Sequence, residues 1–302
     1  MGGVGSLAEC VVNISEGRDL ATIGALRDAG GSAVLDVHSD PEHHRSVLTL
    51  GGTLETVEEA TRRVVSSAVA RIDLRSHVGA HPRLGAADVV PFVPLPSPLP
   101  VTRPAGRPAT DRLRSDVLQA RNRFAAWAGA ELDLPCFLYG PERSLPEVRG
   151  GAFTSLEPDA GPSKPHPTAG CTAVGARPVL VAYNVWIDSN RDAGTDAGRA
   201  HALSVARSLA AELRGPSVRS LGLPVGEGAQ VSFNLIDPGS VSVARVYDSV
   251  AAGAESAGCA VLRAELVGLV PAGTLEQVPR HRWAELDLHE DRTIEGLIEA
   301  SR

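Results

Sequence analysis

One order of strand-like and helix-like runs occurs twice along this chain, and that repetition limits the folds open to it. "AECVVNIS" is apolar enough for a strand, and residues 19–29 follow with a short helical pattern. "SAVLDVHSD" and "HRSVLTLGG" are strand-like runs separated by a polar, His-rich turn, which predicts a hairpin. A long helix is predicted over 54–72, where Leu54, Val57, Val64, Val65, Ala68, Val69 and Ile72 keep helical periodicity. Thr53 can cap it, and Glu55, Glu58 and Glu59 suit its positive end. "ADVVPFVPL" is the next strand; Pro91 and Pro94 have no backbone N–H to donate, so an edge or irregular strand is expected. A Pro-rich connector, "PLPSPLPVTRPAGRPAT", leads to a helix over 111–132 with Leu113, Val117, Ala120, Phe124 and Trp127 on one side. The strand "LPCFLYG" comes next.

From Pro141 to Pro167 no period is visible, and a long loop of the kind that often carries function is expected. The order then begins again. "PVLVAYNVWID" is a strand, residues 196–214 a helix, and "VRSLGLPV" and "AQVSFNLID" two strands. A helix over 240–257 has Val243, Val246, Tyr247 and Val250 along one face; the strand "CAVLRAELVGLV" and a polar helical tail end the chain. "VVNIS", "AYNVWID" and "SFNLID" each set Asn among apolar residues, a faint sign of duplication. Each half therefore reads close to βαββαβ. The expected fold is α+β, two ferredoxin-like subdomains with a substrate cleft between them. A single doubly wound sheet is the alternative, but the short "HSDPEHHR" turn opposes it, because parallel neighbours need a longer crossover.

With 302 residues and 43% hydrophobic content, the chain has enough apolar material for two domains. A formal net charge of -7 gives no sign of nucleic-acid or membrane-surface binding. Lys164 is the one lysine among 29 basic residues, a bias attributed to genome composition and given no weight. The N-terminus has no basic region followed by an apolar stretch, and no run reaches the roughly 18 apolar residues of a membrane span, so a cytoplasmic protein is expected. Cys10, Cys136, Cys171 and Cys259 are scattered without a CxxC pair and read as reduced, buried thiols. "NIS" at Asn13 fits a glycosylation pattern, which has no meaning without secretion.

Five of the nine histidines fall between His38 and His81. Three explanations compete. His77 and His81 have the HxxxH spacing of a metal site, but Gly79 between them and Pro82 after them oppose the helix that spacing needs. Loop histidines are often only solvated, and His43 fits that description. The third is acid–base catalysis: His81 stands beside small residues and Pro82, on a restricted backbone with room for a ligand, and histidine titrates near neutral pH.

Eight stretches, taken in order, resemble the formiminotransferase domain of glutamate formimidoyltransferases. They are "ECVVNISEGRD", "LDVHSDPEHHRSVLTL", "HVGAHPRLGAADVVPFVP", "LPCFLYG", "GPSKPHPTAGCTAVGAR", "VAYNVWI", "QVSFNLID" and "AELVGLVP", and they span nearly the whole chain. The resemblance implies an N-terminal subdomain over residues 1–177 and a C-terminal one over 178–302. It implies transfer of a formimino group between N-formimino-L-glutamate and N5 of tetrahydrofolate, giving 5-formiminotetrahydrofolate and L-glutamate. Tetrahydrofolate would be a co-substrate, and no metal is expected.

By the same resemblance, His81 in "HPRLG" is the catalytic histidine, and Asn13 in the NxSEG motif lies near the active site. The folate-binding segment runs through Gly161, Pro162, Ser163, Lys164, Pro165, His166, Pro167, Thr168, Ala169 and Gly170. His38, Asp40 and His44 line the substrate turn, but with a departure: the animal enzymes carry Asp where this chain has His38, and Asn where it has His44. If that Asp partners the catalytic histidine, Asp40 or Asp36 would have to take its role. Both substrates are anionic, so Arg45, Arg83 and Arg177 inside the matched motifs are candidates for their carboxylates.

The resemblance also implies a homodimer, and it implies that a separate cyclodeaminase acts downstream. The same scaffold transferring a formyl group, or using another amine such as glycine, is the alternative. A non-catalytic folate-binding protein and a metal-dependent hydrolase are the readings from other classes.

Overall fold

The computed structural model describes residues 6–79, 83–95, 115–226 and 228–301. His81, Pro82, Leu113 and nearly all of the Pro-rich connector lie outside the described residues. The chain divides into two compact units after Pro178.

The first unit begins β1 (Leu7–Ile14), α1 (Leu20–Gly30), β2 (Val34–Asp40), β3 (Arg45–Thr53), α2 (Leu54–Arg71) and β4 (Ala87–Pro94). It continues with α3 (Ser115–Glu131), β5 (Cys136–Tyr139), α4 (Leu145–Gly151) and β6 (Thr172–Ala176). Its sheet has the order β2-β3-β1-β4-β6-β5. The first four strands pair antiparallel, in the spatial order of a ferredoxin-like βαββαβ unit. β6 and β5 extend that sheet in parallel.

Alternation along β1 sends Ala8, Cys10, Val12 and Ile14 to the core, where they meet Leu48 and Leu50 of β3 and Val57, Val64, Val65 and Ala68 of α2. Each fully buried Val or Leu contributes about 1.5–3 kcal/mol relative to exposure. α2 follows the predicted period, and the Thr56 N–H donates to Thr53 Oγ1 at 3.3 Å as the predicted cap.

The second unit repeats the order: β7 (Val181–Ser189), α5 (Asp196–Leu213), β8 (Val218–Val225), β9 (Gly228–Leu235), α6 (Val243–Ser256) and β10 (Cys259–Val267). Its sheet runs β10-β7-β9-β8, antiparallel throughout. Two separate sheets of this order are two ferredoxin-like subdomains and exclude the doubly wound alternative. No described helix is long and apolar enough to cross a membrane.

Three expectations about elements are refined. β4 is irregular, one of its two expected forms, but is not an edge strand: β1 flanks it on one side, with a register shift between Asn13 and Ile14, and β6 on the other. The β1 register runs from Cys10 opposite Phe92 to Asn13 opposite Val89, so Pro91 falls in an interruption of that ladder and costs no bond there. The stretch from Pro141 to Pro167 is not all loop. Ser144 and Glu147 form a capping box that starts α4, and the length of that helix is too short to show a period. The C-terminal tail is helical, as expected, but not polar throughout. After α7 (Ala272–Glu276), Leu286 and Leu288 are buried, as are Ile294 and Ile298 of α8 (Ile294–Ala300). The buried Tyr183 hydroxyl donates to the Leu286 carbonyl.

Candidate active site

At one end of the first sheet, four segments converge. The first is the turn from β1 into α1. Glu16 Oε1 accepts from the backbone N–H groups of Gly17, Arg18 and Asp19 at 2.8, 2.7 and 3.0 Å. Burial would raise the Glu16 carboxyl, but those N–H groups and the nearby His44 offset this and hold it below its ordinary value. Gly17 is required here: a Cβ would stand 2.3 Å from the Asp40 carbonyl and 2.5 Å from the Arg45 nitrogen.

The second segment is the hairpin between β2 and β3. Asp40 Oδ1 accepts from the N–H groups of Glu42 and His43 at 2.8 and 2.9 Å, which shapes the turn. His44 follows with φ of 50°, in the left-handed region. Its Nε2 lies 3.0 Å from Glu16 Oε1 and its Nδ1 3.0 Å from the Val78 carbonyl.

The third is the strap that leaves the turn Leu74–Ser76. The His77 ring stacks on His44 with centroids 3.9 Å apart and planes 20° from parallel. Arg83 Nη1 lies 2.6 Å from Nδ1 and 2.8 Å from Nε2 of His77. Burial, together with the charges of Arg83 and His44, lowers the His77 pKa to about 4, so His77 is neutral near pH 7. Arg83 also donates to the His43 carbonyl at 3.3 Å and the His44 carbonyl at 3.4 Å.

Behind the strap lies Asp88, 1% exposed. Its carboxylate accepts from the Leu84 N–H at 2.6 Å and pairs with Arg149 of α4 at 2.6 Å and Arg45 at 3.2 Å. Burial alone would raise this carboxyl; the two guanidinium charges outweigh it and hold Asp88 ionised.

The fourth segment is residues 166–171. The Leu74 N–H donates to the Thr168 carbonyl at 2.8 Å, the Ala86 N–H to the Ala169 carbonyl at 2.9 Å, and the Cys171 N–H to the Leu84 carbonyl at 3.1 Å. His166 Nδ1 accepts from the Ala169 N–H at 3.0 Å, which places that ring's proton on Nε2. Gly161, Ser163, Lys164, Pro165 and Pro167 are exposed, whereas Ala169 is buried. The proposed folate segment is thus sewn at its C-terminal end to the strap on both sides of residues 80–82, held at Gly161 against Leu134 and Gly129, and exposed from Ser163 to Pro165.

Among the sequence-derived candidates, Asp40, His44, Arg45 and Arg83 come together here. Asn13 and His38 stand in one row across the sheet, each opposite Val47 of β3 and on the face away from α1 and α2. Asn13 Nδ2 donates to the Val11 carbonyl at 3.0 Å. Arg177 is not brought to the others. It follows β6, its N–H donates to the Phe92 carbonyl at 3.2 Å, and it stands toward the opposite end of β4 from Asp88. His81 lies outside the described residues, between two segments that are described. Asp36, weighed as a substitute partner for the histidine, stands on β2 opposite Thr49.

The sequence suggests no role for Glu16, Asp88 or Arg149, and suggests His77 only as a metal ligand. Glu16 carried a visible signal, an acid inside the NISEG stretch at the mouth of a helix. Asp88 is the one charge in an otherwise apolar strand, which marks it as paired. Arg149 carried none, because its partner is 61 residues away. Among the described residues no group of three or more His, Cys, Asp or Glu side chains is placed to hold a metal ion.

Comparison with known proteins identifies the family. Residues 7–177 match the formiminotransferase domain, N-terminal subdomain, and residues 182–299 match the formiminotransferase domain. The chain is 33% identical to a glutamate formimidoyltransferase of Streptococcus pyogenes over 91% of its length and 92% of that protein's. It is equally similar, at 33% with the same coverage, to a glutamate formimidoyltransferase of Thermoplasma acidophilum. A formimidoyltransferase-cyclodeaminase of Rattus norvegicus is 33% identical over 89% of the chain but 51% of its own length. On these matches, which cover both ferredoxin-like units, the chain belongs to the formiminotransferase family.

Proposed function

We propose that this chain is a glutamate formimidoyltransferase, moving a formimino group between N-formimino-L-glutamate and N5 of tetrahydrofolate. What carries the proposal is the similarity to glutamate formimidoyltransferases over nine-tenths of the chain and of those relatives. The convergence of the histidine-bearing strap, the hairpin and the 166–171 segment at one sheet end supports it.

In this reaction the amine nitrogen attacks the amidine carbon, and the tetrahedral intermediate has two competing nitrogen leaving groups. The attacking nitrogen must lose a proton and the departing one must gain it. A single histidine between them performs both transfers, and we assign that role to His81. Such a shuttle contributes about 10²–10⁴-fold in rate. Arg45 and Arg83 supply positive charge for the substrate carboxylates, and the exposed part of the segment from Gly161 to Pro167, with Lys164, receives the folate. Arg177, away from the others, suits the distal glutamyl tail of the folate.

We further propose that residues 1–177 and 178–302 act as the two subdomains of one catalytic unit. The enzyme acts in the cytoplasm as a homodimer, and a separate cyclodeaminase closes the ring of its product. The test is conversion of formiminoglutamate and tetrahydrofolate to 5-formiminotetrahydrofolate and glutamate by the purified chain. A chain that binds tetrahydrofolate but turns over only with a formyl donor or with glycine would overturn the assignment of substrate.

A further inference from the structure

We infer that His44 is a positioning residue held as an imidazolium, a clamp that ties the strap bearing His77, Val78 and Gly79 to the Glu16 turn. A carbonyl oxygen can only accept, so the 3.0 Å contact with Val78 puts a proton on Nδ1. Glu16 Oε1 already receives three backbone N–H donors, which an ionised carboxylate accepts, so the 3.0 Å contact puts a second proton on Nε2. A ring that donates from both nitrogens carries a positive charge. The side chains of His44 and Glu16 are each 14% exposed, so water screens this pair only partly.

Among the described residues, charged and titratable groups face His44 from two segments. Glu16 faces it from the turn between β1 and α1. His77 and Arg83 face it from the strap, with His77 stacked on the ring and the Arg83 guanidinium against both the His77 ring and the His44 carbonyl. A neutral His77 accepts from Arg83 at 2.6 Å. Both ring nitrogens of His44 are spent on protein acceptors. That argues against its serving as a direct substrate ligand and for its fixing the two or three residues that precede Ala80 and His81 in sequence. Where orientation is the main contribution, a small displacement costs a large factor in rate.

Two measurements test the clamp, one of which does not depend on the proposed reaction. In the full chain labelled with ¹⁵N-histidine, both His44 ring nitrogens should carry protons. In the transfer assay, His44→Ala should lower kcat about tenfold with little change in the KM for tetrahydrofolate. A His44 ring with a single protonated nitrogen overturns the clamp even if the chain proves to have another substrate. Circular dichroism of His44→Ala separates loss of the clamp from loss of the fold, and a folded His44→Ala with wild-type kcat also overturns it.

Discussion

Asp88, the one acidic residue of β4, and Arg149 of α4 meet at 2.6 Å although 61 residues separate them in the chain. Arg45 reaches the same carboxylate, and so does the backbone of Leu84, two positions after Pro82. One buried anion thus joins the hairpin, α4 and the downstream flank of the strap.

Removing one partner from a buried pair leaves the other charge uncompensated, a loss of about 3–5 kcal/mol. Asp88→Ala should therefore lower the unfolding free energy by that much, read from urea denaturation. Asp88→Asn, which keeps the Leu84 acceptor, should lose less.

The direction of the Asp88 shift also predicts an acid limb. Its carboxyl is depressed in the folded chain, so its contribution is full above the unfolded value of about 3.9 and is lost as pH falls through the lower folded value. Thermal unfolding followed from pH 6 to pH 2 should show a steep loss in wild type and a shallower one in Asp88→Asn.

His77 titrates at about 4 in the folded chain, against about 6.5 unfolded. Between those values the unfolded chain binds the extra proton, so stability falls as pH drops through that window. Arg83→Gln removes a cation from its side and should raise the His77 midpoint, readable from its ring proton shifts in NMR.

Gly170 has φ of +70° and a Cβ there would stand 2.3 Å from the Leu84 carbonyl. Gly170→Ala should destabilise by about 2 kcal/mol or more and weaken tetrahydrofolate binding, because it prises the 166–171 segment off the strap. A variant with unchanged Tm and unchanged Kd would refute the role given to that junction.

Leu286, buried in the C-terminal tail, belongs to the second core. Leu286→Ala should cost about 2–5 kcal/mol in equilibrium unfolding. A loss under 0.5 kcal/mol, on the order of a surface change, would mean the tail is not part of that core.

The sequence made the architecture legible where local periodicity and long-range packing agree. α2 shows its buried stripe in Leu54, Val57, Val64, Val65 and Ala68, and the hairpin between β2 and β3 shows itself in the brevity of its turn. It misled where tertiary pairing overrides a local rule. Pro91 sits in a central strand because the β1 ladder is interrupted beside it. β6 was hidden because "TAVGA" is short and rich in small residues, and it becomes a strand only by pairing with β4 and β5. At the site, the motifs identified the segments but not their wiring. His44 was legible as a departure from the animal enzymes, whereas its contacts with Glu16 and Val78 join residues 28 and 34 positions away, which no spacing encodes.

The most direct test of the account is formimino transfer from formiminoglutamate to tetrahydrofolate, measured for wild type and His81→Ala side by side. The account predicts an active wild type and a folded variant slowed by about a hundredfold or more. A folded His81→Ala that retains wild-type kcat would contradict it, as would a wild type that binds both substrates and transfers nothing between them.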